Sequence, residues 1–105
     1  MRIVTKKVFD EATKKYPNDA PSIQRTYKLL RSESFQSPDD LKKALPSLDN
    51  FRYKDRWWII DIAAGNSLRL IAFISFEQQI LYVKHITTHA EYDKLCRRYA
   101  KEADK

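Results

Sequence analysis

The chain has 105 residues, one glycine, one cysteine and a formal net charge of +6. A P-loop and a dinucleotide fingerprint each need at least two glycines, so both are excluded. A lone cysteine permits neither an internal disulfide nor a cysteine-rich zinc site. No His-rich or carboxylate-rich metal spacing appears either, so no metal or cofactor is expected.

Residues 2–5 read as a short first strand. Residues 6–16 read as a helix, because Val8, Phe9, Ala12 and Tyr16 make an apolar stripe at helical spacing that Pro17 stops. Residues 21–32 read as a second helix, with Ile23, Tyr27 and Leu30 on one face and Pro21 near its first turn. The short Asn18-Asp19-Ala20 link predicts a helical hairpin. Ser37-Pro38-Asp39-Asp40 starts a third, short helix with a Ser cap, Pro at its first position and acids in its first turn. That helix ends before Pro46, and residues 47–51 read as a loop or turn.

From Tyr53 onward the pattern changes to strand. Residues 57–62, 68–76 and 80–86 are dense in β-branched and aromatic residues. A turn at Ala64-Gly65-Asn66 and a tight link at residues 77–79 make these strands antiparallel neighbours. Thr88 followed by Glu91 is a capping-box pattern, so a last helix is predicted over residues 89–102, with Tyr92, Leu95, Cys96 and Tyr99 facing inward. Helices first and a meander afterwards predict an α+β fold, an antiparallel sheet carrying an N-terminal helical hairpin and a C-terminal helix.

Length predicts one domain over residues 1–105, which buries roughly two-thirds of the surface its unfolded chain exposes. No apolar run approaches the ~20 residues of a membrane span, the N-terminus lacks an apolar signal region, and a lone thiol suits a reducing compartment. The expected location is the cytoplasm. Residues 1–53 carry 11 Lys/Arg against 7 Asp/Glu, and residues 54–105 carry 9 against 7. The excess is spread rather than held in a tail, as in a folded domain with a basic face toward nucleic acid. A merely soluble basic surface is the plainer alternative.

Several side chains could carry chemistry. Period-2 alternation sets Arg69, Ile71, Phe73 and Ser75 on one face of the middle strand. A charged residue in a central strand is seldom buried unless paired. Arg69 is therefore an ion-pair partner of Asp61 or Glu77, a plainly exposed charge, or a planar, permanently charged fork for phosphate oxygens. Lys84 is either a solvated strand residue or a second cation. Alternation sends its neighbour His85 to the opposite face, so only one of the two is expected to share a face with Arg69. Lys54 and Arg56 flank the start of the first long strand, as a solvated edge or as RNA-backbone contacts. Trp57 and Trp58 read chiefly as core and half-buried residues, with base stacking as the alternative. His89 and Tyr92 stand three residues apart, so they share one side of the last helix at its mouth. The alternatives are a surface histidine at a helix end and a core tyrosine.

Three segments, Ser47-Leu48-Asp49-Asn50-Phe51-Arg52-Tyr53, Gly65-Asn66-Ser67-Leu68-Arg69 and Thr88-His89-Ala90-Glu91-Tyr92-Asp93, resemble the HigB toxins of type II toxin–antitoxin systems in order and spacing. The resemblance covers nearly the whole chain, and the third segment is its most specific part. It implies a RelE-like fold and a messenger-RNA endonuclease that acts on translating ribosomes without a metal. It also implies a HigA-type helix-turn-helix antitoxin, through which alone the toxin would meet operator DNA. On the family pattern Arg69, Lys84, His89 and Tyr92 form the catalytic site; Lys54, Arg56 and Asn66 are the expected substrate contacts. The sequence departs from that pattern at Phe73, where a basic residue is usual, and at His85 and Thr87, where Phe and Gly are usual. Two rival readings share the same basic face. One is a non-catalytic nucleic-acid-binding domain, and the other is an inactive module that only titrates an antitoxin.

Overall fold

A computed structural model describes residues 1–62 and 67–103. The expected turn at residues 64–66, Asn66 included, lies outside the described residues. The elements in chain order are β1 (Arg2–Val4), α1 (Lys6–Lys15), a 3-10 turn (Pro17–Asp19), α2 (Ala20–Ser32), α3 (Pro38–Ala44), β2 (Asp49–Asn50), β3 (Trp57–Ile62), β4 (Leu68–Ser75), β5 (Ile80–Thr88) and α4 (His89–Ala103). No helix among the described residues is long and apolar enough to cross a membrane.

The three long strands form the expected antiparallel meander, and two further strands complete a five-stranded sheet in the order β1-β5-β4-β3-β2. β1 pairs with β5 in parallel, Ile3 opposite Leu81. A parallel partner must come through a long crossover, and here the crossover comprises α1 to α3 and the meander's first two long strands. Residues 47–51, read from the sequence as a loop, contain β2, which pairs Asp49 with Ile59 and Asn50 with Trp58. Two residues are too few to show alternation, which is why no strand was legible there.

The sheet separates two apolar clusters. Phe9, Ala12, Ile23, Leu30 and Leu41 from the first three helices, with Phe35 from the α2–α3 link, pack against Ile60, Ile62, Leu68, Leu70, Ile74 and Leu81. Phe9 and Tyr27 meet edge to face at 5.2 Å across α1 and α2. Each fully buried aliphatic side chain contributes about 1.5–3 kcal/mol relative to exposure. On the opposite face, α4 lays Tyr92, Leu95, Cys96 and Tyr99 over Phe51, Ile59 and Ile71. Phe51 is the hub of this smaller cluster, with Tyr53, Trp57, Tyr92 and Tyr99 rings within 6.3 Å of its own.

Local signals end the elements as the sequence implies. Ser37 accepts a hydrogen bond from the Asp40 amide at 3.3 Å and caps α3. Residues 76–79 form the β4–β5 turn. Its last residue, Gln79, takes a positive φ of 55° and hydrogen-bonds through its side chain to the backbone of Phe35 and Phe76. That contact ties the sheet to the segment between α2 and α3.

β5 is irregular at one point. Ile71 faces His85 but Ala72 faces Val83, which leaves Lys84 as the extra residue of a β-bulge. A bulge interrupts alternation. Lys84 and His85 consequently point to the same face, the one α4 covers, and the expectation that only one of them could share Arg69's face is overturned. Local composition carries no signal for the bulge. It appears only when β5 is set against β4.

Candidate active site

The end of the sheet where β5 passes into α4 gathers the strongest charge chemistry. Arg69 opens β4 opposite Asp61 on one side and Thr87 on the other. Its Nε donates to Asp61 Oδ1 at 3.0 Å, and the two side chains are 27% and 21% exposed. Of the two ion-pair partners the sequence offered, Asp61 is the one, because cross-strand register puts it directly opposite. Ser47 Oγ accepts from the Asp61 amide at 3.0 Å and donates to its carbonyl at 3.3 Å, which holds the carboxylate's backbone in place. The recorded bond uses Nε, and a guanidinium carries four other N–H donors in the same plane.

The Arg69 guanidinium carbon also lies 4.4 Å from the centroid of the Tyr92 ring. Arg69 is thus held from two directions, by a carboxylate at its edge and an aromatic face beneath it. Tyr92 lies one turn into α4 and is half-buried. Burial pushes its hydroxyl well above the ordinary tyrosine range, the Cys96 thiol adds to the shift, and Arg69 offsets part of it. The phenol stays protonated at neutral pH, as a donor and not as a base. His89 is the first residue of α4 and is exposed.

The start of α4 is fixed by the predicted capping box. The Thr88 amide donates to Glu91 Oε1 at 3.1 Å, and the Glu91 amide donates to Thr88 Oγ1 at 3.3 Å. Tyr16 OH donates to the same carboxylate at 2.9 Å and Lys15 Nζ at 3.3 Å. Glu91 therefore also ties the helix mouth to the end of α1, a link between residues 75 apart that no local pattern announces. The Thr88 amide, chiefly, and the Tyr16 hydroxyl lower the Glu91 pKa from 4.5 to about 2. A depressed folded-state pKa stabilises the fold above the unfolded value, and the effect fades as pH falls toward the folded one. A Glu91→Gln protein, which keeps hydrogen-bonding capacity but loses the charge, is expected to be less stable at pH 7 by at most about 1 kcal/mol, since the carboxylate is largely solvent-screened. Urea unfolding should show the gap closing as pH falls from 4.5 to about 2; a gap constant over that window would rule the charge out.

Lys84 stands apart from this cluster. It lies three residues from Thr87 along β5, roughly 10 Å at the rise of a strand, and its Nζ sits 5.5 Å from the Trp57 ring centroid. Beside it, His85 Nε2 and Tyr99 OH are 3.1 Å apart. Desolvation lowers the His85 pKa below the ordinary histidine range, with the Arg98 and Lys84 charges adding, so this ring is neutral at pH 7. A groove of about 480 Å³ between β5 and α4 is lined by His85, Thr87, Glu91, Lys94 and Arg98. Lys54 is exposed and pairs at 3.9 Å with Glu102 on α4, and Arg56 projects from a left-handed turn with φ of 61°. The structure thus brings together Arg69 and Tyr92, with His89 one turn before them. Asp61 belongs with this group as the residue that orients the arginine, while Lys84 and Lys54 lie toward the other end of the same face and Arg56 lines a separate hollow with Trp58 and Ile74.

A charged fork pinned beside a helix mouth is a common enough device, and comparison with known proteins specifies it further. A profile of the HigB toxin family, the RelE-like toxic component of a toxin–antitoxin system, matches residues 19–95. The chain is 46% identical over 99 residues to the mRNA interferase HigB of Escherichia coli O6:H1 (strain CFT073), covering 94% of this chain and 95% of that protein. It is 36% identical over 93 residues to the mRNA interferase toxin HigB of Escherichia coli K12, covering 89% and 88% respectively. The mRNA interferase HigB of Shigella flexneri matches at the same level. With its α+β sheet, its capped helix mouth and these matches along nearly its whole length, the chain belongs to the HigB family of RelE-like toxins of toxin–antitoxin systems.

Proposed function

We propose that residues 1–105 form a single toxin domain that cleaves messenger RNA on the ribosome, without a metal, in the cytoplasm. The observation that carries this reading is Arg69 held between Asp61 and the Tyr92 ring. Orienting a guanidinium before substrate arrives is what stabilising charge at phosphorus requires. RNA brings its own nucleophile, the 2′-hydroxyl. Its oxygen bonds to the adjacent phosphorus and the bond to the 5′-oxygen breaks, leaving a 2′,3′-cyclic phosphate and a free 5′-hydroxyl. One group must take the 2′ proton and another must supply one to the 5′-oxygen. In this scheme His89 serves the proton transfer, Arg69 offsets the phosphoryl charge, and Tyr92, protonated at neutral pH, donates or orients. Lys84, Lys54 and Arg56 contact the substrate strand, and Asn66 is expected to contact it too.

The partner is a HigA-type antitoxin with a helix-turn-helix domain, and operator DNA is reached only through it. A groove of about 840 Å³ between α1 and α2, lined by Phe9 and Tyr27 and by Lys6, Lys28 and Arg31, suits an acidic, amphipathic segment of such a protein.

Inducible expression with mapping of new 5′ ends on messenger RNA tests the activity. Growth arrest with fresh ends, both relieved by co-expressed antitoxin, is expected. So small a domain has little surface for holding RNA in line for attack, so messenger RNA on programmed ribosomes should be cleaved far faster than naked RNA. Equal rates on the two substrates would remove the ribosome from the mechanism. Unimpaired growth with intact messenger RNA would instead favour the antitoxin-titrating reading.

A further inference from the structure

We propose that Phe73 and Tyr82, flanked by Lys84, form a stacking platform for one unpaired RNA base next to the cleavage point. The inference rests on the endoribonuclease reading and adds a base-binding surface to it.

Cross-strand register carries the argument. Trp57 faces Phe73, and Phe73 faces Tyr82. Directly opposed residues in an antiparallel pair share a face, so three aromatic rings run side by side across β3, β4 and β5. α4 covers one end of this row, where Tyr99 meets Trp57 edge to face at 5.5 Å. The row then leaves the shelter of the helix. Phe73 is half-buried, and Tyr82, at 38%, is the one large apolar side chain exposed among the described residues. The Phe73 and Tyr82 rings are 5.9 Å apart and inclined at 58°, so they are not stacked on one another. Phe73 and Tyr82 together offer flat aromatic area beyond the cover of α4.

Charge says what covers it. Lys84 sits at the β-bulge with its Nζ 5.8 Å from the Tyr82 ring and 5.5 Å from that of Trp57. An exposed lysine–ring contact is weak and yields easily to a stacked base, after which the ammonium can meet the base's own phosphate. A ring surface beside a cation complements a nucleotide, which joins a π-face to a negative charge. Phe73 lies four residues from Arg69 on β4, about 13 Å at the rise of a strand. The platform therefore takes a base flanking the scissile phosphate and sets how the strand lies.

The test titrates the full chain into a 2′-O-methyl hexanucleotide carrying one 2-aminopurine, which cannot be cleaved and loses fluorescence on stacking. Wild type should quench the probe. Tyr82→Ala and Phe73→Ala should each bind about tenfold more weakly with little quenching, whereas Tyr82→Phe, which keeps the ring, should stay close to wild type. Thermal unfolding of each variant reports whether it folds. Absence of quenching by wild type, or wild-type affinity in a folded Tyr82→Ala protein, overturns the platform. Unchanged RNA affinity with lost antitoxin binding overturns it too and makes the patch a protein-docking surface. Mapping messenger 5′ ends in cells judges the endoribonuclease reading separately, because the oligonucleotide titration reports stacking whether or not RNA is cut.

Discussion

Arg69→Ala is expected to lower single-turnover cleavage on programmed ribosomes by about 10²–10³-fold, the usual loss when one preorganised donor is removed from a developing negative charge. The size of the effect follows from how the side chain is held. Asp61 fixes the edge of the guanidinium at 3.0 Å, and the Tyr92 ring supports its plane at 4.4 Å, so it need not be ordered when RNA binds. Arg69→Lys should recover little, because an ammonium can neither chelate as a planar fork nor lie flat on the ring in the same way. Stability complicates this measurement in a predictable way. Removing the arginine leaves Asp61, 21% exposed, without its partner, at a cost of about 1–3 kcal/mol. An Arg69→Ala, Asp61→Ala double variant should regain much of that stability in urea unfolding and still fail to cleave. If the double variant regains cleavage as well, the pair is structural and Arg69 is not part of the chemistry.

His89→Ala should have a comparable or larger effect on cleavage and almost none on stability. Removing a positioned general acid or base costs about 10²–10⁴-fold. His89 is exposed at the first position of α4, and the helix start is held by Thr88 and Glu91. Its loss should therefore leave the melting temperature and antitoxin affinity near wild type, because the Thr88–Glu91 cap that starts the helix stays in place. Tyr92→Phe should be milder, since it keeps the ring beneath Arg69 and removes only the hydroxyl. Single-turnover conditions separate chemistry from ribosome release. Wild-type single-turnover cleavage by His89→Ala would take this residue out of the mechanism and shift proton transfer to another group.

The two substitutions differ in how their positions could be known beforehand. His89 and Tyr92 were legible because everything that places them is local. A Thr-x-x-Glu box starts the helix, and a spacing of three puts both residues on one side of it. The same locality made the helices and the three long strands legible, since a stripe of period 3.6 or 2 needs no knowledge of the partner it packs against. The caps at Ser37 and Thr88 fall where the sequence sets them for the same reason.

What stayed hidden depended on which strand lies beside which. Arg69 could have paired with Asp61 or with Glu77, and only the β3–β4 register decides for Asp61. β1 could have joined either edge of the sheet, and the crossover sets it parallel to β5. Alternation along β5 sent Lys84 and His85 to opposite faces, and the bulge that unites them exists only as a mismatch between two strands. The aromatic row Trp57, Phe73, Tyr82 draws one residue from each of three strands and is invisible along the chain. The sequence by itself determined the order of the elements, their caps and the helix-mouth pair, because those follow from contacts within a few residues. Only the tertiary structure decided which groups share a face, because register is set by the burial of whole strands and one extra residue reverses every side chain beyond it.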